Sequence, residues 1–182
     1  AHPDGPSELR IDRLTVWLIE RGDRLGLRLR DPQSPVLAAY APTPRWEPDP
    51  AWRVPARLEP FLEPTTVEVP NILGQSSPQP TPGRLVFERD GQTHTLTPTG
   101  EGAGDLFVVF ADATTGESTY GGGRFLVVRE PDVDGITVLD FNRAYNPPCA
   151  YSPFTTCPMP PDGNTLSVAV QAGEQTPLGD AP

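Results

Sequence analysis

The sequence predicts a mainly β protein, an antiparallel sandwich or partly closed barrel with an N-terminal helix and proline-rich wrapping segments. Three observations predict it. The 25 prolines and 17 glycines of the 182-residue chain favour short strands joined by stiff loops, because proline fixes φ and removes a ladder donor and would break a helical bundle repeatedly. Strand-length apolar runs rich in Val and Phe recur at Leu106–Phe110, Phe125–Val128, Ile136–Leu139 and Leu166–Val170, and several are apolar on both faces, as strands inside a packed layer are. The pair Asp90-Gly91 lies between Arg84–Glu88 and Gln92–Thr97 and supplies the positive φ of a tight hairpin turn.

Taken in chain order, Ser7 is the expected N-cap of an amphipathic helix running through Leu9, Arg13, Leu14, Trp17, Leu18 and Glu20. Beyond Gly22 the alternation of Leu25, Leu27 and Leu29 reads as a strand that Asp31-Pro32 stops. Residues 31–64 carry a proline every few positions and are expected to wrap the core in extended form, with Trp46, Trp52 and Phe61 as packing anchors. Strand signals accumulate from Thr65–Val69 onward, giving six or seven short strands. One domain spanning 1–182 is expected, with a core over about 7–174 and a flexible acidic tail over about 175–182.

The formal net charge is −10 and every basic residue is arginine. An acidic chain is repelled by phosphate backbones, so nucleic acid is a poor partner, and the absence of lysine removes Schiff-base chemistry. No run approaches the roughly 20 apolar residues that span a bilayer, and the start at Ala1 lacks a signal-peptide pattern. A soluble chain is expected, cytoplasmic or exported after loss of a targeting segment. No serine elbow, Walker loop, dinucleotide fingerprint or zinc-protease motif occurs, and no cofactor is implied by any motif.

Polar residues capable of chemistry concentrate between Asp112 and Glu174, beside the strongest strands. They comprise Thr119-Tyr120-Gly121-Gly122-Gly123-Arg124, then Asp140-Phe141-Asn142-Arg143-Ala144-Tyr145-Asn146-Pro147-Pro148-Cys149-Ala150-Tyr151, then Cys157, Asn164 and Ala172-Gly173-Glu174. With Asp31–Pro35 and Asp49–Arg53, these motifs resemble the uncharacterised bacterial family called domain of unknown function 1684, and the likeness covers most of the chain. The resemblance implies no particular reaction, substrate or cofactor.

The short loop with Pro131, Asp132, Asp134 and Gly135 suggests that the Phe125 and Ile136 strands pair as an antiparallel hairpin. An even register would then set Arg124 opposite Asp140 or Asn142 on one face, and two costly half-buried charges favour that register. One reading is a polar pocket for a small anionic ligand, built from Tyr120, Gly122, Gly123, Arg124, Asp140, Asn142, Tyr145, Asn146, Tyr151 and Glu174. In it Arg124 grips the anion with its planar fork, and Asp140 or Glu174 holds a donor. The other reading is a non-catalytic structural or interaction module, in which the same residues form a salt-bridge and amide network that fastens a loop. Asp112, Glu117, Asp140 and Glu174 are the carboxylates available for acid–base work. The triple glycine precedes a strand rather than a helix, so it fits a bulge or a close backbone approach better than a phosphate loop.

Cys149 and Cys157 lie eight positions apart among prolines. A disulfide there would stabilise by roughly 2–3 kcal/mol in an oxidising compartment. Structural zinc needs four ligands, whereas only two cysteines and two histidines occur, His2 and His94, so no metal site is expected.

Overall fold

Period-two alternation of apolar and polar residues governs the chain from its first described strand. The computed structural model describes residues 8–21, 24–101 and 104–178. It divides into two compact units, Ala1–Ala41 and Pro42–Pro182.

In the first unit, β1 (Glu8–Ile11), β2 (Leu14–Arg21) and β3 (Arg24–Arg30) form an antiparallel meander in that order. The helix expected over Leu9–Glu20 is absent. Pairings Leu9↔Val16, Ile11↔Leu14, Val16↔Leu29 and Leu18↔Leu27 line up aliphatic side chains on one face, which a strand does for residues two apart and a helix does not. Asp12 adopts φ 51 in the turn that breaks the segment, and Arg13 grips Asp31 through Nε at 2.8 Å and Nη2 at 3.0 Å. The Ser7 cap lies outside the described residues. Among the described residues of this unit one short helix occurs, α1 (Pro35–Ala38), opened by its proline.

The second unit holds a four-stranded antiparallel sheet, ordered β6-β5-β4-β9 and curled into half a barrel. Its strands are β4 (Arg53–Pro70), β5 (Ser76–Arg89), β6 (Gln92–Leu96) and β9 (Ile136–Asp140). A separate antiparallel pair, β7 (Leu106–Phe110) with β8 (Arg124–Val128), packs on it. The Asp90-Gly91 hairpin forms as expected, with φ of 52 and 74 and Arg89 opposite Gln92. Val54, Ala56, Leu85, Phe87, Leu96 and Leu139 from the sheet meet Leu106, Val108, Phe110, Leu126 and Val128 from the pair in one core. Trp52 closes it edge-on to Phe141 at 6.0 Å between ring centroids, an apolar anchor as read from the sequence. On the outer face of the pair, Val109 and Phe125 bury a second, smaller cluster with Cys149 and Cys157.

Two expectations fail here. The Phe125 and Ile136 strands do not form a hairpin: β8 pairs with β7, and β9 pairs with β4 through Arg53↔Asp140 to Arg57↔Ile136. The connecting loop therefore passes from one sheet to the other, so that Leu126, Val128 and Leu139 face each other across the core instead of lying side by side. The run Leu166–Val170 is not a strand. Leu166 and Val170 are buried in the core with the side chains of the β pair, but the backbone there forms no ladder with the pair, only an isolated bridge between Thr165 and Ala111.

The ladder of β4 with β5 breaks register between Pro60 and Thr65, and Gly83 sits opposite Pro60 where the strands come too close for a side chain. A methyl group on Gly83 would strike the Glu59 carbonyl and lie 2.8 Å from the Pro60 Cα. Gly83→Ala is therefore expected to cost about 2 kcal/mol or more in urea-unfolding stability, and a change within about 0.5 kcal/mol would contradict this packing.

Candidate functional site

The stretch after Val168 has no sheet to satisfy its backbone, and a side chain does so instead. Arg124 begins β8 on the core-facing side, opposite Phe110, and is fully buried. Its Nη1 donates to the carbonyls of Ala172 at 2.5 Å and Glu174 at 3.2 Å, and its Nη2 donates to the carbonyl of Val170 at 2.9 Å and to Asp112 Oδ2 at 2.8 Å. Three alternate carbonyls of one segment thus converge on one guanidinium. The backbone must curl to bring them there, and Gly173 at φ 77, whose Cβ would lie 2.5 Å from the Ala144 carbonyl oxygen, permits it.

Asp112 completes the arrangement from the other side. It is as deeply buried as its partner, and its Oδ1 accepts from the Thr114 amide, the Thr114 hydroxyl and the Val170 amide at 2.8, 2.6 and 3.1 Å. Burial pushes the Arg124 pKa below its ordinary value, and the charges of Asp112 and Glu174 oppose that shift. The rings of Trp46 and Phe110 flank the guanidinium at 5.7 and 5.3 Å, a further favourable setting for a desolvated cation. Nε alone has no hydrogen-bond partner.

Asp140, expected opposite Arg124, lies elsewhere. It faces Arg53 at 3.5 Å and accepts from Asn142 Nδ2 at 3.1 Å. This is the consequence of β9 joining β4 rather than β8. Asn142 in turn exchanges hydrogen bonds with the backbone of Asp49, so the two recognisable motifs Asp49–Arg53 and Asp140–Tyr151 hold each other.

Glu174 centres a second group at the edge of the unit. Its Oε1 meets Arg45 Nη1 at 3.1 Å, while Oε2 accepts from the Asn146 amide at 2.7 Å and the Tyr151 hydroxyl at 3.3 Å. Tyr151 shares a hydrogen bond with Thr43 at 2.9 Å, and Arg45 Nη2 reaches the Asn142 carbonyl. The structure therefore brings Asn142, Asn146, Tyr151 and Glu174 together. It adds Thr43 and Arg45, which sequence reasoning missed because they sit in a proline-rich stretch with no strand pattern.

Tyr120, Gly122, Gly123 and Tyr145 belong to the outer face of β8. A Cβ on Gly122 would lie 2.5 Å from the Tyr120 ring, and one on Gly123, at φ 80, would lie 2.6 Å from the Phe110 carbonyl oxygen and 2.8 Å from Pro160. The close approach inferred from the glycine run is thus to the protein itself. Tyr145 bridges Phe125 through both backbone hydrogen bonds and stacks edge-on to its ring. Cys149 and Cys157 are buried, free thiols, with the Cys149 amide donating to Cys157 Sγ at 3.1 Å. Among the described residues no group of three His, Cys, Asp or Glu side chains converges as metal ligands, and no helix is long and apolar enough to cross a membrane.

Fold and site together define a mainly β protein whose chemistry-bearing residues, Arg124 and Asp112 foremost, are turned inward onto its own backbone. Residues 38–175 match the family described as Protein of unknown function (DUF1684), and the chain belongs to it. The solution NMR structure of an uncharacterised protein of Haloarcula marismortui is similar, with 35% sequence identity over 79% of this chain and 81% of that one and a TM-score of 0.63. No curated protein matches the chain.

Burial raises several acids of the outer cluster. The Cys149 thiol is pushed up from 9.0 to about 11 and the Tyr120 phenol from 10.0 to about 12, with the adjoining cysteine as a smaller cause in each case. Both stay protonated in the fold at pH values where the unfolded chain has already ionised, so the unfolded state binds fewer protons and stability falls as pH rises from about 9 to about 12. Urea midpoints measured across this window should decline, and Tyr120→Phe should flatten the decline; an equally steep profile in the variant would contradict the assignment.

Proposed function

We propose that this protein is a non-catalytic structural or interaction module, in which the segments around Arg124, Asp140–Tyr151 and Ala172–Glu174 fasten irregular chain onto the β core. The observation that carries the reading is the engagement of Arg124: a fully buried guanidinium whose two terminal nitrogens are directed at one carboxylate and three carbonyls of the same unit. A residue that grips a soluble anion needs a donor turned toward solvent. In an oxidising compartment, exchange with an external low-molecular-weight disulfide, which is reduced to two thiols as the Cys149–Cys157 bond forms, would pin the intervening loop as well, closing a short loop for roughly 2–3 kcal/mol.

A specific observation favours a second reading at the Glu174 edge. The Arg45 side chain is 48% exposed beside Glu174, so a small carboxylate or phosphate would meet Arg45 rather than Arg124.

The two readings separate by substitution. Arg124→Lys cannot serve the same four acceptors, and the fastening role predicts a loss of about 3–5 kcal/mol in urea unfolding, as for one partner removed from a buried pair. An unchanged midpoint would overturn it. Arg45→Ala should cost under about 1 kcal/mol, the range of exposed ion pairs. If titration calorimetry shows acetate or inorganic phosphate binding to the native protein and this variant abolishes it, the second reading holds.

A further inference from the structure

The β1–β3 meander carries an apolar face that ordinary monomers cover. Register places Leu9, Ile11, Leu18, Leu25, Leu27 and Leu29 on that side, with Glu20 opposite Leu25 at its margin; each of the six is between 50% and 72% exposed, with Val16 buried at the centre. The opposite side carries Arg10, Trp17, Arg28 and Arg30. We propose that this leucine face is a docking surface for a second copy of the chain, paired face to face about a two-fold axis.

Area and charge support that occupant. The six side chains expose on the order of 500 Å² in one patch, near the largest that monomers leave bare, and two copies together would bury about 1,000 Å², the lower limit for a biological interface and the size of a weak, reversible one. The face is self-complementary, as a two-fold contact requires, and sheets stack readily through aliphatic faces at about 10 Å. The first 41 residues hold six arginines and six acidic residues, so the whole net charge of −10 is carried by the remainder. Two such acidic chains repel each other least through this neutral unit. A lipid surface fits worse, because the arginines that would meet anionic headgroups point away from the leucines, and the aromatic Trp17 lies with them.

This inference does not rest on the fastening role of Arg124, and its test reads a different quantity. Sedimentation velocity of the full chain from about 1 to 100 µM should show twice the monomer mass at the upper end. Leu27→Glu should weaken association at least about a hundredfold, whereas Arg28→Glu, one residue along and on the opposite face, should leave it unchanged. Circular dichroism verifies that each variant is folded, and Leu25→Gln at the sheet margin, expected to weaken association about tenfold, serves if Leu27→Glu is not. A wild-type chain that stays monomeric throughout overturns the proposal, as does equal association of the leucine variants or capture of a monomer by phosphatidylglycerol vesicles.

Discussion

One buried guanidinium sets the terms for the second unit of this protein. A backbone that leaves a sheet must still pair its amides and carbonyls, because an unpaired buried polar group costs about 1–3 kcal/mol. Between Val170 and Gln175 that pairing is assembled piecemeal. Arg124 takes the carbonyls of 170, 172 and 174, Asp112 takes the Val170 amide, Ala144 takes the Glu174 amide, and Pro44 takes that of Gln175. Arg124 thereby does for this segment what a neighbouring strand does for another. The charge that makes such a donor strong also makes its burial costly, and Asp112 offsets that cost at 2.8 Å.

From this constraint the neighbouring sequence features follow. Gly173 allows the curl that brings alternate carbonyls to one point, and its absent side chain leaves room for the Ala144 and Phe141 carbonyls. Gly123, just before Arg124, lets β8 start hard against Phe110 and Pro160. Asn164 performs a parallel task without charge, bonding both backbone groups of Thr97 and the Val109 carbonyl from a fully buried position. The family match begins at residue 38, so it contains all of this network, while β1–β3 lies before it.

Much of the β architecture was legible because alternation, turn residues and run length are local. The Asp90-Gly91 hairpin, the strands around Leu106, Phe125 and Ile136, and the close approach at the glycine run could be read from residues adjacent in sequence, although not that the approach is to Tyr120, Phe110 and Pro160 rather than to a ligand. The N-terminal helix was misread because Leu14, Trp17 and Leu18 also satisfy helical spacing, and only pairing with Leu25–Leu29 decides between the two patterns. Pairing between distant strands was not legible. A short loop between two apolar strands serves a hairpin or a crossing between sheets equally well, and with the wrong choice Asp140 took the place of Asp112 as partner of Arg124. The signal for Asp112 lay in its position two residues past Phe110, which becomes informative only once β7 is set beside β8. The carbonyl cradle left no trace in side-chain identity, since its acceptors are backbone atoms.

The central claim is that Asp112 and Arg124 act as one unit holding the 170–174 segment. A double-mutant cycle with Asp112→Asn and Arg124→Met, read by urea unfolding, tests it most directly. The account predicts a coupling free energy of about 2 kcal/mol or more, because either single change strands its partner among groups that can no longer be satisfied. Additive losses, with coupling near zero, would contradict it.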